Sequence, residues 1–124
     1  MGLDMYLSKK VKYKRKNHVD EVMYWRKENA IHAWFVKNVQ DGKDECQESS
    51  VSVESLTKLA NLCEQAVKEK NPDLLPTQGG FFFGSTDYDE YYYQSLEETS
   101  KVIREELNSN SSLGRTEYFY QSSW

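Results

Sequence analysis

The sequence predicts an α+β fold in which strands from the two ends of the chain form a small antiparallel sheet packed against three helices. Residues 3–11 and 117–121 alternate between apolar and polar side chains, which is the period of a half-buried strand. Between them, apolar residues recur at helical spacing in three stretches. A chain of 124 residues is long enough for one modest core, so we treat residues 1–124 as a single domain.

Composition narrows the class of protein. Hydrophobic residues make up 38% of the chain and aromatic residues 14%, so Tyr and Trp are expected to carry much of the packing. Because this aromatic surplus exceeds what one small core can hide, we predict a homo-oligomer. No apolar run reaches the length of a membrane span, and Asp4 interrupts any signal peptide. We therefore expect a cytoplasmic protein without a membrane partner. In that compartment Cys46 and Cys63 are not expected to form a disulfide, and they also lack a metal-ligand spacing. We expect no bound cofactor.

The net charge of −4 is unevenly distributed along the chain. Residues 9–16 contain six basic side chains and no acidic one, whereas the rest of the chain holds 10 basic and 20 acidic residues. An acidic remainder argues against binding along duplex nucleic acid, which needs a broad positive face. The basic segment is either a solvated hairpin or loop, or a group of cations that meets the phosphates of a small ligand.

The first half of the chain is predicted to contain a strand and two helices. Residues 3–11 form the strand, the basic segment forms a connection, and residues 22–25 are either a short strand or the start of the next helix. The first helix covers residues 26–39, with its core face formed by Ile31, Trp34, Phe35 and Val39. The second begins after the N-cap Ser52, runs to about residue 70, and buries Cys63 in its apolar stripe. Residues 43–50 between the two helices are expected to be a polar loop.

A second stripe follows one edge of the first helix, formed by Trp25, Asn29, His32 and Val36. An indole, an amide and an imidazole in one line are suited to border a cleft, where Asn29 and His32 would offer hydrogen bonds. The alternative is that His32 makes a buried polar contact in the core.

The most unusual stretch is residues 74–95, which reads LLPTQGGFFFGSTDYDEYYYQS. Glycines permit close approach of the backbone, and aromatic rings offer flat faces for stacking. We interpret the stretch as the wall of an open pocket that leads directly into a third helix. Thr86 is the expected N-cap of that helix, and acidic residues 87, 89 and 90 favour its dipole. A metal site built from these three acids is the alternative.

The third helix buries a stripe at residues 92, 96, 99, 103 and 107. The last strand, residues 117–121, places Tyr118 and Tyr120 on one face and Phe119 on the other. We expect it to pair with the first strand, because chain termini often lie close together.

Four motifs cover most of the chain: the opening MGLDMYL, the helix YWRKENAIHAWFVKNVQDG, the segment LLPTQGGFFFGSTDYDEYYYQS and the ending YFYQSSW. Together they resemble a family of small bacteriophage and prophage proteins, although the connection at residues 9–18 is shorter than the insertion typical of that family. The resemblance implies an accessory phage protein in the cytoplasm of the infected host. Small accessory phage proteins often counter host defences, some by sequestering nucleotide second messengers.

We predict from the residues a noncatalytic protein that binds a nucleotide-like small molecule. Aromatic rings would stack on the base, and the N–H groups at the start of the third helix would meet an anion, provided that Arg26 or the basic segment offsets the nearby acids. The residues assigned to this site are Trp25, Arg26, Asn29, His32, Thr77, Phe82, Gly84, Ser85, Thr86, Tyr88, Tyr91 and Tyr92.

Two other classes of function stay open. An acidic surface with exposed Tyr and Trp suits an inhibitor that binds a host protein directly. A phosphodiesterase or nuclease would use His32 with Asp87 or Asp89, but the sequence contains only two histidines and no phosphate-loop or nucleophile motif.

Overall fold

The computed structural model describes residues 2–13, 15–77, 79, 87–109 and 115–124. Within these residues the elements are β1 (Asp4–Tyr13), β2 (Lys16–Arg26), α1 (Asn29–Asn38), β3 (Ser49–Val51), α2 (Val53–Glu69), a 3₁₀ turn (Pro72–Leu74), α3 (Glu90–Ser109) and β4 (Arg115–Ser123). The predicted α+β class is confirmed, with three α-helices packed on a sheet that joins both ends of the chain.

The sheet has the strand order β2–β1–β4–β3, and every neighbouring pair is antiparallel. The predicted pairing of the terminal strands is confirmed, since β1 and β4 are hydrogen-bonded along their length. The open assignment of residues 22–25 resolves as strand, because they belong to β2. The prediction of a loop at residues 43–50 was wrong for Ser49 and Ser50, which pair with β4 as part of the short strand β3.

The two faces of the sheet differ in burial. The inner face is covered by the helices, and its central residues are Met5, Leu7, Trp25, Tyr118 and Tyr120, all buried. The outer face carries residues that alternate with these along the strands, and none of them is buried: Tyr6, Ser8, Lys10, Tyr24 and Phe119. The predicted separation of Phe119 from the two tyrosines of β4 is therefore observed.

The core forms where α1, α2 and α3 meet the inner face. The ring of Phe35 on α1 stacks on Tyr120 at 3.9 Å between centroids. Cys63 lies in the buried stripe of α2 as predicted, and burial raises the pKa of its thiol to about 12. A thiol in this state serves packing, because the reactive thiolate is strongly disfavoured.

The ends of the helices show which local signals were predictive. Ser52 caps α2 by accepting a hydrogen bond from the backbone N–H of Ser55 at 3.1 Å, as predicted. Helix α3 begins later than expected, at Glu90, because the Asp89 carboxylate accepts the backbone N–H of Tyr92 at 3.0 Å. Asp89 therefore occupies the capping position that the sequence pattern assigned to Thr86. In the described part of the chain, no helix combines the length and the apolar character needed to cross a bilayer.

Candidate functional site

A cleft of about 280 Å³ opens where the end of β2, the start of α1 and the start of α3 come together; we call it cleft A. The described residues that line it are Arg26, Lys27, Glu28, Asn29, Ala30, Thr77, Asp87, Asp89, Tyr91 and Tyr92. They come from three separate parts of the sequence. The first turn of α1 supplies one wall, and the residues around the start of α3 supply the other.

Five of the residues predicted to bind a ligand line cleft A: Arg26, Asn29, Thr77, Tyr91 and Tyr92. Tyr88 lies next to it, since its hydroxyl accepts hydrogen bonds from the backbone N–H of Thr77 at 3.0 Å and from the Thr77 hydroxyl at 3.2 Å. Four further predicted residues, Phe82, Gly84, Ser85 and Thr86, lie outside the described residues.

The aromatic residues of cleft A differ in exposure. The Tyr91 ring is 66% exposed, so one of its faces is available to a planar ligand. Tyr92 is buried, and its hydroxyl donates a hydrogen bond to the Leu75 carbonyl at 2.5 Å. Tyr92 therefore fixes the wall of the cleft, whereas Tyr91 forms its accessible surface.

Cleft A contains charges of both signs. Arg26 and Lys27, both exposed, lie at the end of β2, and three carboxylates line the cleft, those of Glu28, Asp87 and Asp89. The Asp89 carboxylate is engaged by the backbone of α3. A ligand that fits this arrangement has an anionic group near the two cations and hydrogen-bond donors near the acids.

Glu28 lines both cleft A and a neighbouring cleft of about 170 Å³, which we call cleft B. Arg26 and Tyr91 likewise line both clefts, whereas Trp25 lines cleft B but not cleft A. Burial raises the pKa of the Glu28 carboxyl above its ordinary value, while contacts with the hydroxyls of Ser95 and Tyr91 oppose that rise. The Glu28 charge in turn raises the pKa of Tyr91. The Tyr91 hydroxyl donates a hydrogen bond to the Glu28 carboxylate, and Tyr91 lines both clefts.

The basic segment does not reach cleft A. Residues 9–13, 15 and 16 belong to the half of the β1–β2 hairpin that includes its tip, whereas Arg26 is at the other end of β2. Lys9, the member of the segment that lies nearest to Arg26 along the sheet, pairs with Asp20, six residues from Arg26, which is about 20 Å at about 3.3 Å per residue. The expectation that this segment could offset the acids of the site was therefore wrong, and Arg26 and Lys27 are the cations placed to do so.

The residues of the predicted stripe along the first helix do not share one surface in the structure. Trp25 is on β2 rather than on the helix, and its buried indole N–H donates to the Thr99 hydroxyl at 2.8 Å. His32 is 1% exposed and is not among the residues that line cleft A or cleft B. Of the stripe, Asn29 lines cleft A and Trp25 lines cleft B.

His32 belongs to a buried hydrogen-bond network. Its Nε2 lies 3.0 Å from Asp44 Oδ1, and its Nδ1 lies 2.6 Å from the Tyr120 hydroxyl. Because the carboxylate can only accept, Nε2–H donates to Asp44, and Nδ1 and the Tyr120 hydroxyl share a second hydrogen bond. Trp124 Nε1–H donates to the same Asp44 oxygen at 3.0 Å.

This network explains His32 as a structural residue. Tyr120 is fully buried, and burial raises the pKa of its hydroxyl, so it is not an activated nucleophile despite its contact with a histidine. Asp44 occupies the position beside His32 that the enzyme hypothesis assigned to Asp87 or Asp89. The alternative interpretation of His32, a buried polar contact, matches this placement.

The acidic residues before α3 do not form a metal centre with other described side chains. No group of three His, Cys, Asp or Glu residues suited to holding a metal ion occurs among the residues that the structure describes. Asp87 and Asp89 instead line cleft A.

Three lining residues were missed by the sequence analysis, namely Lys27, Glu28 and Ala30. Their position directly beside Arg26 and Asn29, at a strand-to-helix junction, is the signal that would have indicated them. Comparison of the chain with protein-family models, with curated proteins and with solved structures found no match.

Proposed function

We propose that this protein is a noncatalytic binder of a nucleotide-like small molecule, which it takes in cleft A. The observation that carries the proposal is the convergence of Arg26, Asn29, Thr77, Tyr91 and Tyr92 on one cleft. Arg26 supplies an exposed cation and Tyr91 an accessible ring. The buried Asn29 and Thr77, which is hydrogen-bonded to Tyr88, form polar parts of the cleft wall. That is the set of groups that a phosphate, a ribose and a base require.

The distribution of charge supports one orientation of the ligand. A phosphate would face Arg26 and Lys27, and Arg suits phosphate recognition because its guanidinium donates two parallel hydrogen bonds. Ribose hydroxyls or exocyclic amino groups would face Asp87 and Glu28, since carboxylates accept hydrogen bonds from such donors. The base would stack on Tyr91.

The volume of the cleft supports a small ligand. Pockets for drug-sized molecules usually measure about 300–1,000 Å³. Cleft A, at about 280 Å³, lies just below that range and suits one nucleotide unit rather than a whole dinucleotide. A larger ligand would extend from cleft A over the Tyr91 ring toward cleft B.

The noncatalytic part of the proposal is supported by the surroundings of the titratable groups. Both ring nitrogens of His32 are engaged in the core, away from the groups that line cleft A. Asp89 caps a helix. General acid–base catalysis would therefore fall to Glu28 or Asp87 of cleft A, and the described lining of the cleft offers neither of them a histidine partner.

The resemblance to phage proteins gives the proposal a biological setting. In an infected cell, a protein that binds a nucleotide second messenger without cleaving it would lower the free concentration of that messenger. Sequestration of this kind needs a Kd comparable with the concentration of the messenger, and a micromolar value corresponds to about −8 kcal/mol.

Isothermal titration calorimetry against AMP, ADP-ribose and cyclic dinucleotides tests the proposal. We expect micromolar binding of at least one of them, weakened about 5- to 100-fold by Tyr91→Ala through loss of stacking. Arg26→Ala should weaken AMP binding and leave adenosine binding unchanged, and Arg15→Ala on the hairpin is its matched control. No heat with any of these compounds, or equal affinity in Tyr91→Ala, would refute the proposal.

A second candidate function is direct inhibition of a host protein. It is favoured by the exposure of Tyr88 and Tyr91, at 43% and 66%, beside Asp87, Asp89 and Glu90. Tyrosine is enriched among interface hot spots, and the surrounding carboxylates would suit a basic partner surface. A pull-down from host lysate distinguishes the two candidates: a stoichiometric partner that Tyr91→Ala fails to recover favours inhibition, whereas small-molecule binding predicts none.

A further inference from the structure

The outer face of the sheet is a second candidate surface. It adjoins cleft B at Tyr24 and extends from there toward the hairpin tip, away from cleft A. The helices cover the inner face, so the side chains of the outer face are open to solvent along β2, β1 and β4. An uncovered face of an antiparallel sheet is ordinarily polar. This one instead carries three aromatic rings near its centre.

The three rings belong to Tyr6, Tyr24 and Phe119, one on each of three adjacent strands. Tyr6 and Tyr24 are direct cross-strand partners, with ring centroids 5.3 Å apart, and Tyr24 is 44% exposed. Phe119 is the cross-strand partner of Ser8, one step along the same face, and is partly exposed. The rings therefore form a diagonal row across β2, β1 and β4.

Positive charge lies beside this row, toward the hairpin tip. Lys10 lies over the Phe119 ring at 4.1 Å and also pairs with Glu48 at 2.9 Å, so a base that stacks on Phe119 has to displace this ammonium from the ring. Beyond Lys10, Lys12 and Arg15 are exposed, whereas Lys16 is the strand partner of Tyr13 and lies on the opposite side of the hairpin from Lys12. The basic segment of the sequence thus flanks the aromatic row at one end of the sheet.

The carboxylates of the outer face limit its affinity for anions, but the positive charge remains concentrated at the hairpin end of the sheet. Asp4 accepts a hydrogen bond from the Tyr24 hydroxyl, at the end of the sheet away from the hairpin. Glu21 and Glu117 are exposed within the face. Any polyanion bound here therefore contacts the rings and the hairpin tip, and we expect its affinity to be micromolar rather than nanomolar.

We propose that the outer face binds a short single-stranded nucleic acid, with bases stacked on Tyr6, Tyr24 and Phe119 and phosphates directed toward Lys12 and Arg15. Unstacked bases laid on aromatic residues of an open four-stranded sheet are a general mode of single-strand recognition. Neighbouring strands are about 4.8 Å apart, so a row across three strands accommodates two or three bases. A duplex cannot bind in this way, because its bases are already stacked on each other.

The test is fluorescence anisotropy with labelled single-stranded RNA and DNA of about eight nucleotides, and with the corresponding duplex. We expect micromolar binding of the single strands, at least about tenfold weaker binding of the duplex, and an affinity that falls between about 50 and 200 mM salt. The RNA and DNA probes show whether the 2′-hydroxyl contributes. A duplex that binds as tightly as the single strand would overturn the proposal.

Matched variants separate this surface from cleft A. Phe119→Ala and Tyr24→Ala should each weaken single-strand binding by at least about fivefold, whereas Tyr24→Phe, which keeps the ring, should not. Lys12→Glu should weaken binding and reduce its salt dependence. Tyr91→Ala, in cleft A, should leave strand binding unchanged, and Phe119→Ala should leave the calorimetric binding of nucleotides unchanged.

Other outcomes overturn the proposal. They are absence of binding to any single strand at low salt, or binding that Phe119→Ala and Tyr24→Ala both leave intact. A concentration-dependent dimer by light scattering that Phe119→Ala abolishes would assign the outer face to a second copy of the chain instead.

Discussion

Glu28 and His32 lie one helical turn apart at the start of α1, and the backbone N–H of His32 donates to the Glu28 carbonyl at 3.0 Å. Their surroundings nevertheless differ. His32 is buried in a network that links β4, α1, the loop at Asp44 and the C-terminal Trp124. Glu28 is partly buried at the boundary between two open clefts. One helix thus begins at a candidate binding site and continues into the structural core.

The helix face on which Glu28 or His32 lies does not by itself determine the role of its titratable side chain. Partners from distant parts of the chain decide it, because a buried polar group needs hydrogen bonds wherever they can be supplied. For His32 the partners are Asp44 and Tyr120. For Glu28 they are two hydroxyls of α3 that leave the carboxylate facing the clefts.

The largest expected effect is on stability, from His32→Ala. The variant removes the hydrogen bonds that His32 makes with the Tyr120 hydroxyl and the Asp44 carboxylate and opens a cavity, so we expect a loss of about 2–4 kcal/mol in the free energy of unfolding. Urea denaturation measures it. The matched control is His18→Ala on exposed β2, which should change stability by less than about 0.5 kcal/mol. Similar losses in the two variants would contradict the contrast drawn here.

A smaller loss is expected from Tyr120→Phe. The ring and its stacking on Phe35 are kept, so the change isolates the hydroxyl that is hydrogen-bonded to His32. Leaving the buried Nδ1 of His32 without this partner should cost about 1–3 kcal/mol, again measured by urea denaturation. Tyr6→Phe, on the outer face, is the control and should be nearly neutral. A neutral Tyr120→Phe variant would show that the network does not stabilise the fold.

The smallest expected change in stability comes from Glu28→Gln, and it is an increase rather than a loss. Because burial raises the pKa of Glu28 in the folded state above 4.5, the folded chain binds this proton more tightly than the unfolded chain does. The charged form therefore destabilises the fold at neutral pH, and this penalty disappears as the pH falls below 4.5. Glu28→Gln should be more stable than the wild type at pH 7 and lose that advantage in acid.

Glu64→Gln serves as the counterpart to this variant. Its hydrogen bond with Arg104 lowers the pKa of Glu64, so removal of the charge should reduce stability at neutral pH. Thermal unfolding of both variants between about pH 4 and pH 7 shows whether each change raises or lowers stability relative to the wild type. If the unfolding curves of both variants shifted in the same direction at pH 7, the opposite environments assigned to Glu28 and Glu64 would be contradicted.

The fold was largely predictable because its signals are local. The alternation in β1 and β4 and the Ser52 cap with its apolar stripe in α2 each follow from neighbouring residues. Strand β2 was harder to predict, because the register with β1 shifts between Leu7 and Ser8 and interrupts the alternation. Strand β3 was missed because three residues, two of them serine, carry too little pattern.

The candidate site was predictable only in part. Arg26, Asn29 and Tyr91 follow from residue type and proximity to helix starts. Trp25 and His32 were expected to face the same cleft, yet their side chains are held by Thr99 and Tyr120, which lie 74 and 88 residues away in the chain. No spacing rule within one helix contains that information.

The most direct test of the proposed binding site is a titration of ¹⁵N-labelled protein with AMP, followed by the backbone amide signals in NMR spectra. Ligand binding in cleft A predicts saturable shifts at residues 26–30, 77 and 87–92, with little change at His32, Asp44 and residues of the outer face. Shifts centred on His32 and Asp44, or no saturable shifts around cleft A with AMP, ADP-ribose or a cyclic dinucleotide, would contradict it.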